Sequence, residues 1–345
     1  MDLSPLSALP FLLHDVGARG YCNVATAVDD NDDPQTQFSV VTQSFLTTTM
    51  DVLRDHRCFE TPQGWILSLH PASLRTFLWR PEDGKMIHLP AMEKDFPRSC
   101  KCLISGKARD DPDRVVVVLD LDEEEYWLCR VRGGKRWERH GYAITVYNAY
   151  GEPRDKHIAR LNGVAAVGGK LYYEHSGREL GVVELDNRDG DGEPCLTCVR
   201  VDMAEVDLPD ERPLRSSYLV ESRGELYLVV VFFHGFDAHS VDELAVYRMD
   251  FASLPAAWRR VGGIGGDRVF LLGGDSSGWS CFGASCSAVE HRLRGNTIYL
   301  VNHVAIEENA LHVFDMGRGT HVVQRPFHDF PRPLRPPFWM MLTDS

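Results

Sequence analysis

Gly224-Glu225-Leu226-Tyr227-Leu228 joins a turn glycine to a short run of strand-forming residues. The same arrangement recurs at Gly64–Leu67, Gly169–Tyr173 and Gly295–Leu300. A second β-rich run follows each of these segments, at residues 76–80, 181–185, 244–249 and 310–314. Short strands in sequential hairpins, repeated along the chain, are typical of a β-propeller. A ring of such sheets covers faces that a single sheet would leave open, so we predict an all-β propeller.

The two ends of the chain provide the remaining strands. Five repeats can be counted, and unpaired strands are predicted at Phe38–Gln43 and Phe338–Leu342. A sixth blade assembled from both termini would remove the open sheet edges. We expect six blades, while the irregular spacing leaves five or seven open. The apolar run Val115–Leu119 indicates a strand buried on both faces, as the inner strand of a blade would be. We assign residues 1–37 to an N-terminal extension and residues 38–345 to one propeller domain.

Composition restricts the partner classes. The formal net charge is −13, which argues against nucleic acid, because phosphate binding requires a basic surface. No apolar run approaches the roughly 20 residues of a membrane helix, and the N-terminus does not resemble a signal peptide. The nine cysteines are scattered and odd in number, which favours a reducing compartment. We therefore expect a monomer in the cytoplasm, the nucleus or both.

Three short motifs suggest chemistry. Gly274–Gly278 matches the G-x-S-x-G pattern of hydrolases, but no helical periodicity follows it, which favours a loop. Asp186–Glu193 resembles a calcium loop in composition, but Arg188 stands at a ligand position. Cys195 and Cys198 supply half of a zinc spacing without a second half. We expect no catalytic residue, no metal and no cofactor.

Aromatic residues near predicted loops are the best candidates for a binding surface. Exposed aromatics on propeller loops are suited to anchoring a partner. The competing interpretation is burial between blades. The predicted partner-binding residues are Phe236, His239, Trp279 and Phe282.

An ordered set of segments carries a family resemblance. Tyr218–Ser222 with Gly224–Leu226 forms the first block, and Ala245–Asp250 precedes Trp258. The set continues with Gly266–Leu271, Gly295–Tyr299 and Pro336–Trp339. Together they resemble a plant family of β-propeller domains that commonly follow an F-box, some of which are described as kinase-regulating proteins of the brassinosteroid pathway. The resemblance covers nearly the whole chain and is strongest over residues 215–302.

The resemblance implies a fold and a type of role. It implies a non-catalytic module that binds a protein partner, such as a kinase or a ubiquitin-ligase substrate, through rim loops. Leu9–Leu13 is similar to the apolar piece that follows the F-box in such proteins, so we expect a propeller-only member without its own F-box. Two alternatives stay open: a small-ligand receptor, and a hydrolase or lyase that uses the central channel.

Overall fold

A computed structural model gives the architecture of the chain. It describes residues 10–14, 35–48, 50–97, 100–105, 114–121, 123, 125–141, 144–147, 153–156, 163–176, 179–184, 195–202, 214–274, 281–302, 309–330 and 337–341. Within these ranges the structure is almost entirely β, with one short helix, α1, at Asp51–Asp55. No helix in the described ranges is long and apolar enough to cross a membrane.

The first three blades are antiparallel four-stranded sheets. Blade 1 contains β1 (Phe11–His14), β2 (Gln35–Ser39), β3 (Ser44–Thr48) and the last strand of the chain, β27 (Phe338–Met340). Blade 2 contains β4 (Arg57–Glu60), β5 (Ile66–Leu69), β6 (Thr76–Trp79) and β7 (Met86–Leu89). Blade 3 contains β8 (Cys100–Ser105), β9 (Val115–Asp120), β10 (Glu125–Arg130) and β11 (Glu138–Gly141). A separate hairpin follows, β12 (Ile144–Tyr147) with β13 (Pro153–Lys156).

The last three blades include the longest strands. Blade 4 contains β14 (Val164–Val167), β15 (Lys170–Ser176), β16 (Glu179–Glu184) and β17 (Cys195–Asp202). Blade 5 contains β18 (Arg215–Ser222), β19 (Glu225–His234), β20 (Asp237–Asp250) and β21 (Ala256–Val261). Blade 6 contains β22 (Arg268–Gly274), β23 (Cys281–Ser287), β24 (Thr297–Asn302), β25 (Ala310–Asp315) and β26 (Thr320–Gln324). A parallel contact of β17 with β21 joins blades 4 and 5 into one sheet.

Six hydrophobic clusters lie between the blades, one at each interface of the ring. The alternation of side chains along each strand produces them. In β9, Val116 and Val118 pack towards blade 2, whereas Val117 packs towards blade 4. In β22, Leu271 faces blade 1 and Phe270 faces blade 5. Each blade is therefore buried on both faces, which confirms the predicted six-bladed all-β propeller.

Strands from both termini close the ring, as predicted. β27 pairs with β1 in antiparallel register, with Leu12 opposite Trp339. The indole Nε1 of Trp339 also donates a hydrogen bond of 2.9 Å to the carbonyl of Leu272 in blade 6. β1 and the first residues of β2 lie within residues 1–37, which the sequence assigned to an N-terminal extension. Val115–Leu119 is buried on both faces, but it belongs to the second strand of its blade, and β8 is the inner strand.

The repeated glycines precede the second strand of blades 2, 4 and 5, and β24 in blade 6. Gly224 has φ +79° and follows Arg223 at φ +53°, the conformation of a tight hairpin turn. Gly295 serves a different need. A Cβ on this residue would lie 1.7 Å from the carbonyl oxygen of Gly266, so only glycine allows the two segments to approach.

Blade 6 departs from the regular pattern. β22 pairs with β24 in parallel, and β23 forms a fifth strand on the axial side of β22. β23 runs alongside β18, because Ser285 Oγ lies 2.9 Å from Ser222 Oγ and a Cβ on Gly283 would lie 2.7 Å from the Leu219 carbonyl oxygen. We call β23 the axial strand. Its sequence, Cys-Phe-Gly-Ala-Ser-Cys-Ser, consists mainly of small residues, which suits a strand enclosed by other strands.

Candidate interaction surface

The tip of the β19–β20 hairpin carries the most exposed of the predicted aromatic residues that the structure describes. Phe236 is 86% exposed. It lies in the turn between the two longest strands of the described residues, directly after Gly235, whose φ is +59°. The pairing register shifts at Phe232–His234, so the hairpin is irregular just before its tip. We call residues 234–239 the blade 5 tip.

Three contacts near the blade 5 tip fix its base. Phe233 is buried in the cluster between blades 5 and 6, and its N–H donates to the carbonyl of Leu214 at 3.2 Å. The side-chain amide of Asn302 in blade 6 donates to the carbonyl of Ala238 at 2.8 Å. The Phe236 ring therefore projects from a braced support, which reduces the entropy lost when a partner orders it.

His239 is the polar residue predicted for this surface, and it follows Phe236 closely in the sequence. His239 is exposed, and its backbone N–H donates to the Asp237 carboxylate at 3.0 Å. This short-range bond is an Asx-type turn, which holds the chain after Phe236 in a defined direction. The structure thus brings Phe236 and His239 together on one tip.

The structure does not place the other two predicted residues, Trp279 and Phe282, on this surface. Phe282 is 1% exposed and packs in the cluster between blades 6 and 1, so it is a core residue in this structure. The reason is that β23 is a strand, and Phe282 lies on its face towards blade 1. Trp279 lies outside the described residues. Gly274 and Cys281, which flank its segment, pair with each other at the ends of β22 and β23.

The centre of the ring is occupied rather than open at the level of Cys281. Gly163, just before β14, forms a parallel bridge with Cys281 in the axial strand. Lys101 in β8 is 3% exposed, and its Nζ donates a hydrogen bond to the Cys281 carbonyl. Blades 3 and 4 therefore contact the axial strand directly, although neither is next to blade 6 in the ring. Sequence reasoning missed Lys101, although a lysine within an apolar strand was a signal.

A partly buried carboxyl links blades 4 and 5. Glu174 in β15 accepts a hydrogen bond from the hydroxyl of Ser217 in β18, which links blades 4 and 5. Burial raises the pKa of Glu174, although the Ser217 hydrogen bond and the charge of Arg215 oppose this. The contact explains how a polar side chain is accommodated between two blades.

The described residues form no catalytic or metal-binding arrangement around the three motifs noted in the sequence. β22 ends at Gly274 and the chain continues into β23, so the G-x-S-x-G segment lies between two strands and not before a helix. Cys195 and Cys198 both lie in β17. Residues 186–193 are outside the described ranges, and within those ranges no group of three His, Cys, Asp or Glu residues could hold a metal.

Two buried cysteines of blade 3, Cys102 and Cys129, have raised thiol pKa values. Burial raises the pKa of the Cys102 thiol, and the nearby charge of Glu60 adds to this effect. Burial also raises the pKa of Cys129 to about 12. Both thiols are therefore protonated at neutral pH and behave as small apolar groups.

Comparison with known proteins gives a family match. The profile of the family described as "KIB1-4 beta-propeller" matches residues 37–315. No curated protein matches the chain.

Solved structures give distant matches. A putative 6-phosphogluconolactonase from Bacteroides fragilis aligns over 94% of this chain and 84% of its own, with 12% identity and a TM-score of 0.42. A chain from the S. cerevisiae assembly of Dbp5 with Nup159, Gle1, IP6 and ADP aligns over 91% of this chain and 95% of its own, with 9% identity and a TM-score of 0.32. Hsv2 from Kluyveromyces marxianus aligns over 66% of this chain and 64% of its own, with 12% identity and a TM-score of 0.32. TM-scores this low support no argument about activity or partners.

Proposed function

The chain belongs to the KIB1-4 β-propeller family, and from this premise we propose that it is a non-catalytic module that binds a protein partner through the blade 5 tip. The observation that carries the proposal is the exposure of Phe236, 86%, on a hairpin whose base is fixed by blade 6. In keeping with the family resemblance, the proposed partner is a regulatory protein of the cytoplasm or nucleus, such as a kinase or a ubiquitin-ligase substrate.

The phenylalanine ring of Phe236 supplies the apolar surface that a partner would bury. Burying a Phe side chain contributes about 1.5–3 kcal/mol when its surface leaves water. Within an interface, such an aromatic anchor is often a residue whose truncation weakens binding most. Because the support is braced, little of this contribution is lost to ordering the hairpin.

The alternative functions, a small-ligand receptor or a channel hydrolase or lyase, require access to the ring centre. The axial strand weighs against them. Gly163 and Lys101 both contact Cys281, so backbone and a buried side chain fill the axis at that level. The outer face of the propeller therefore offers more room for recognition than the axis does.

The test is affinity capture with a matched pair of variants. Purified protein is used to capture partners from plant extract, with quantitative mass spectrometry as the readout. We expect Phe236→Ala to deplete specific partners about 10- to 100-fold, the loss that follows from removing one buried aromatic anchor. Leu254→Ala is the control, because Leu254 is 98% exposed in the turn between β20 and β21, at the other end of the hairpin strand β20.

Two results would overturn the proposal. One is the same captured set for wild-type protein and Phe236→Ala. The other is a metabolite that binds saturably in a thermal-shift screen, with the same affinity for wild-type protein and Phe236→Ala. Such binding would favour a receptor site away from the blade 5 tip.

A further inference from the structure

The outermost strand of blade 6 has an open edge. β26 pairs with β25 on one side, and among the described residues no strand pairs with its other side. Val322 is 53% exposed and Val323 is 47% exposed. Neighbouring residues of a strand point to opposite faces, so β26 has an exposed valine on each face of the sheet.

Within the described residues, β26 lacks the usual protections of a sheet edge. Native edges are commonly guarded by charged side chains, proline, bulges or a covering segment. Thr320–Gln324 contains no charged residue and no proline, and its register with β25 is continuous. By contrast β11, the outer strand of blade 3, carries Glu138 and Arg139, and the outer strands of blades 4 and 5 pair with each other.

A pair of histidines holds β26 against β25. His321 Nε2 lies 2.9 Å from His312 Nδ1, and the His321 ring stacks on Phe314 with 4.1 Å between ring centres and 8° between planes. Burial lowers the pKa of His321, and burial together with the neighbouring His321 lowers that of His312 to about 4. The histidine contacts therefore hold β26 against β25, and the strand carries no charge at neutral pH.

The charges at the two ends of β26 indicate what it would accept. Arg318 precedes the strand and Arg325 follows it, and both are exposed. Within the described part of the chain, neither side chain pairs with a carboxylate. A second copy of this chain, added in antiparallel register, would bring these arginines close to each other, which costs energy. A segment with acidic ends would instead complement them.

We propose that β26 is a docking edge for an extended segment of a partner protein, with β-branched residues at its centre and a carboxylate at each end. Main-chain hydrogen bonds to the open edge would provide the affinity. The Val322 and Val323 side chains would pack against alternate residues of the added strand. The two arginines would set its register. This surface is separate from the blade 5 tip, and the two proposals stand or fall independently.

The experiment uses defined peptides and hydrogen exchange on the full chain. The probe is a short peptide with an alternating Thr and Val centre and Asp at each end. Amide exchange is followed by mass spectrometry in fragments covering residues 318–325. At a probe concentration about ten times the Kd, outward-pointing amides of β26 should exchange about tenfold more slowly. Five residues of edge pairing correspond to a Kd on the order of 0.1–1 mM.

Matched controls separate strand addition from general charge attraction. The same peptide with Lys at each end, and an N-methylated version of the Asp-ended peptide, should give no protection. Arg318→Glu combined with Arg325→Glu should weaken binding at least about tenfold and favour the Lys-ended peptide. Arg132→Glu is the control variant, because Arg132 is exposed in the turn between β10 and β11 of blade 3.

Three outcomes would overturn the proposal. The first is no protection of residues 320–324 by the Asp-ended peptide at millimolar concentration. The second is equal protection by the N-methylated peptide, which would show side-chain attraction without strand pairing. The third is a concentration-dependent dimer in sedimentation that protects the same residues, because a second copy would then be the occupant.

Discussion

Gly283→Ala tests the axial strand by adding a single methyl group at a buried position that faces β18. A Cβ at Gly283 would lie 2.7 Å from the carbonyl oxygen of Leu219 and 3.0 Å from Cγ2 of Val220. The first neighbour is backbone in a buried strand, so it cannot rotate away. Overpacking of this kind costs about 1–3 kcal/mol.

The matched control is Gly262→Ala. Gly262 has no atom within 4 Å of an added Cβ, and its φ is not in the left-handed region. Both substitutions restrict the unfolded chain equally, which stabilises each protein by about 0.4–1 kcal/mol. The difference in unfolding free energy between the two variants therefore isolates the contact with β18, and it should be about 1–3 kcal/mol.

The assay is urea unfolding followed by circular dichroism and tryptophan fluorescence, with thermal unfolding as a second readout. For a chain of 345 residues, an entropy of about 2.1 cal/mol/K per residue converts this difference to a melting-temperature gap of about 1.5–4 °C. Equal stability of the two variants would refute the close packing of β23 against β18.

Two further predictions concern the histidine pair and the ring closure. The folded-state pKa of His312 is lowered from 6.5 to about 4, so the unfolded chain binds the proton more readily. The stability that neutral His312 contributes is fully present above pH 6.5. It falls by about 2 kcal/mol as the pH drops from 6.5 to 4, once solvent screening is allowed for. Urea midpoints across this range should show a smaller loss in His312→Leu, and an equal loss would contradict the assignment. Trp339→Phe should cost about 2–3 kcal/mol, because it removes the buried hydrogen bond to Leu272 and leaves a cavity. A loss below about 0.5 kcal/mol in urea unfolding would show that β27 does not close the ring tightly.

The ring itself could be predicted from the sequence. The glycines at Gly64, Gly169 and Gly224 precede strands, and hairpin turns need residues that accept positive φ. Phe338-Trp339-Met340 forms an apolar run near the C-terminus, and its closure with the N-terminal strand followed from the need to pair open edges. Local sequence and global topology agree at these positions.

The axial strand could not be predicted in the same way. The residues of β23 are mainly small, and by themselves they predict a loop. Strand propensity depends on the surface against which a segment packs. The surrounding blades supply that surface, and no local pattern records it. Phe282 was misplaced for this reason. The sequence predicts a loop at Phe236, and the structure places this residue in a turn after Gly235, whose φ is +59°.

The occupied axis is the claim on which the preference for surface recognition depends, and lysine labelling tests it most directly. Lys101 is 3% exposed beneath the axial strand, whereas Lys85 and Lys135 are exposed in hairpin turns of blades 2 and 3. With an amine-acetylating reagent and mass spectrometry, Lys101 should react on the order of a hundredfold more slowly than Lys85 and Lys135, because reaction requires local opening. Acetylation of Lys101 at the same rate as the two turn lysines would show that the channel is open to solvent and contradict the account.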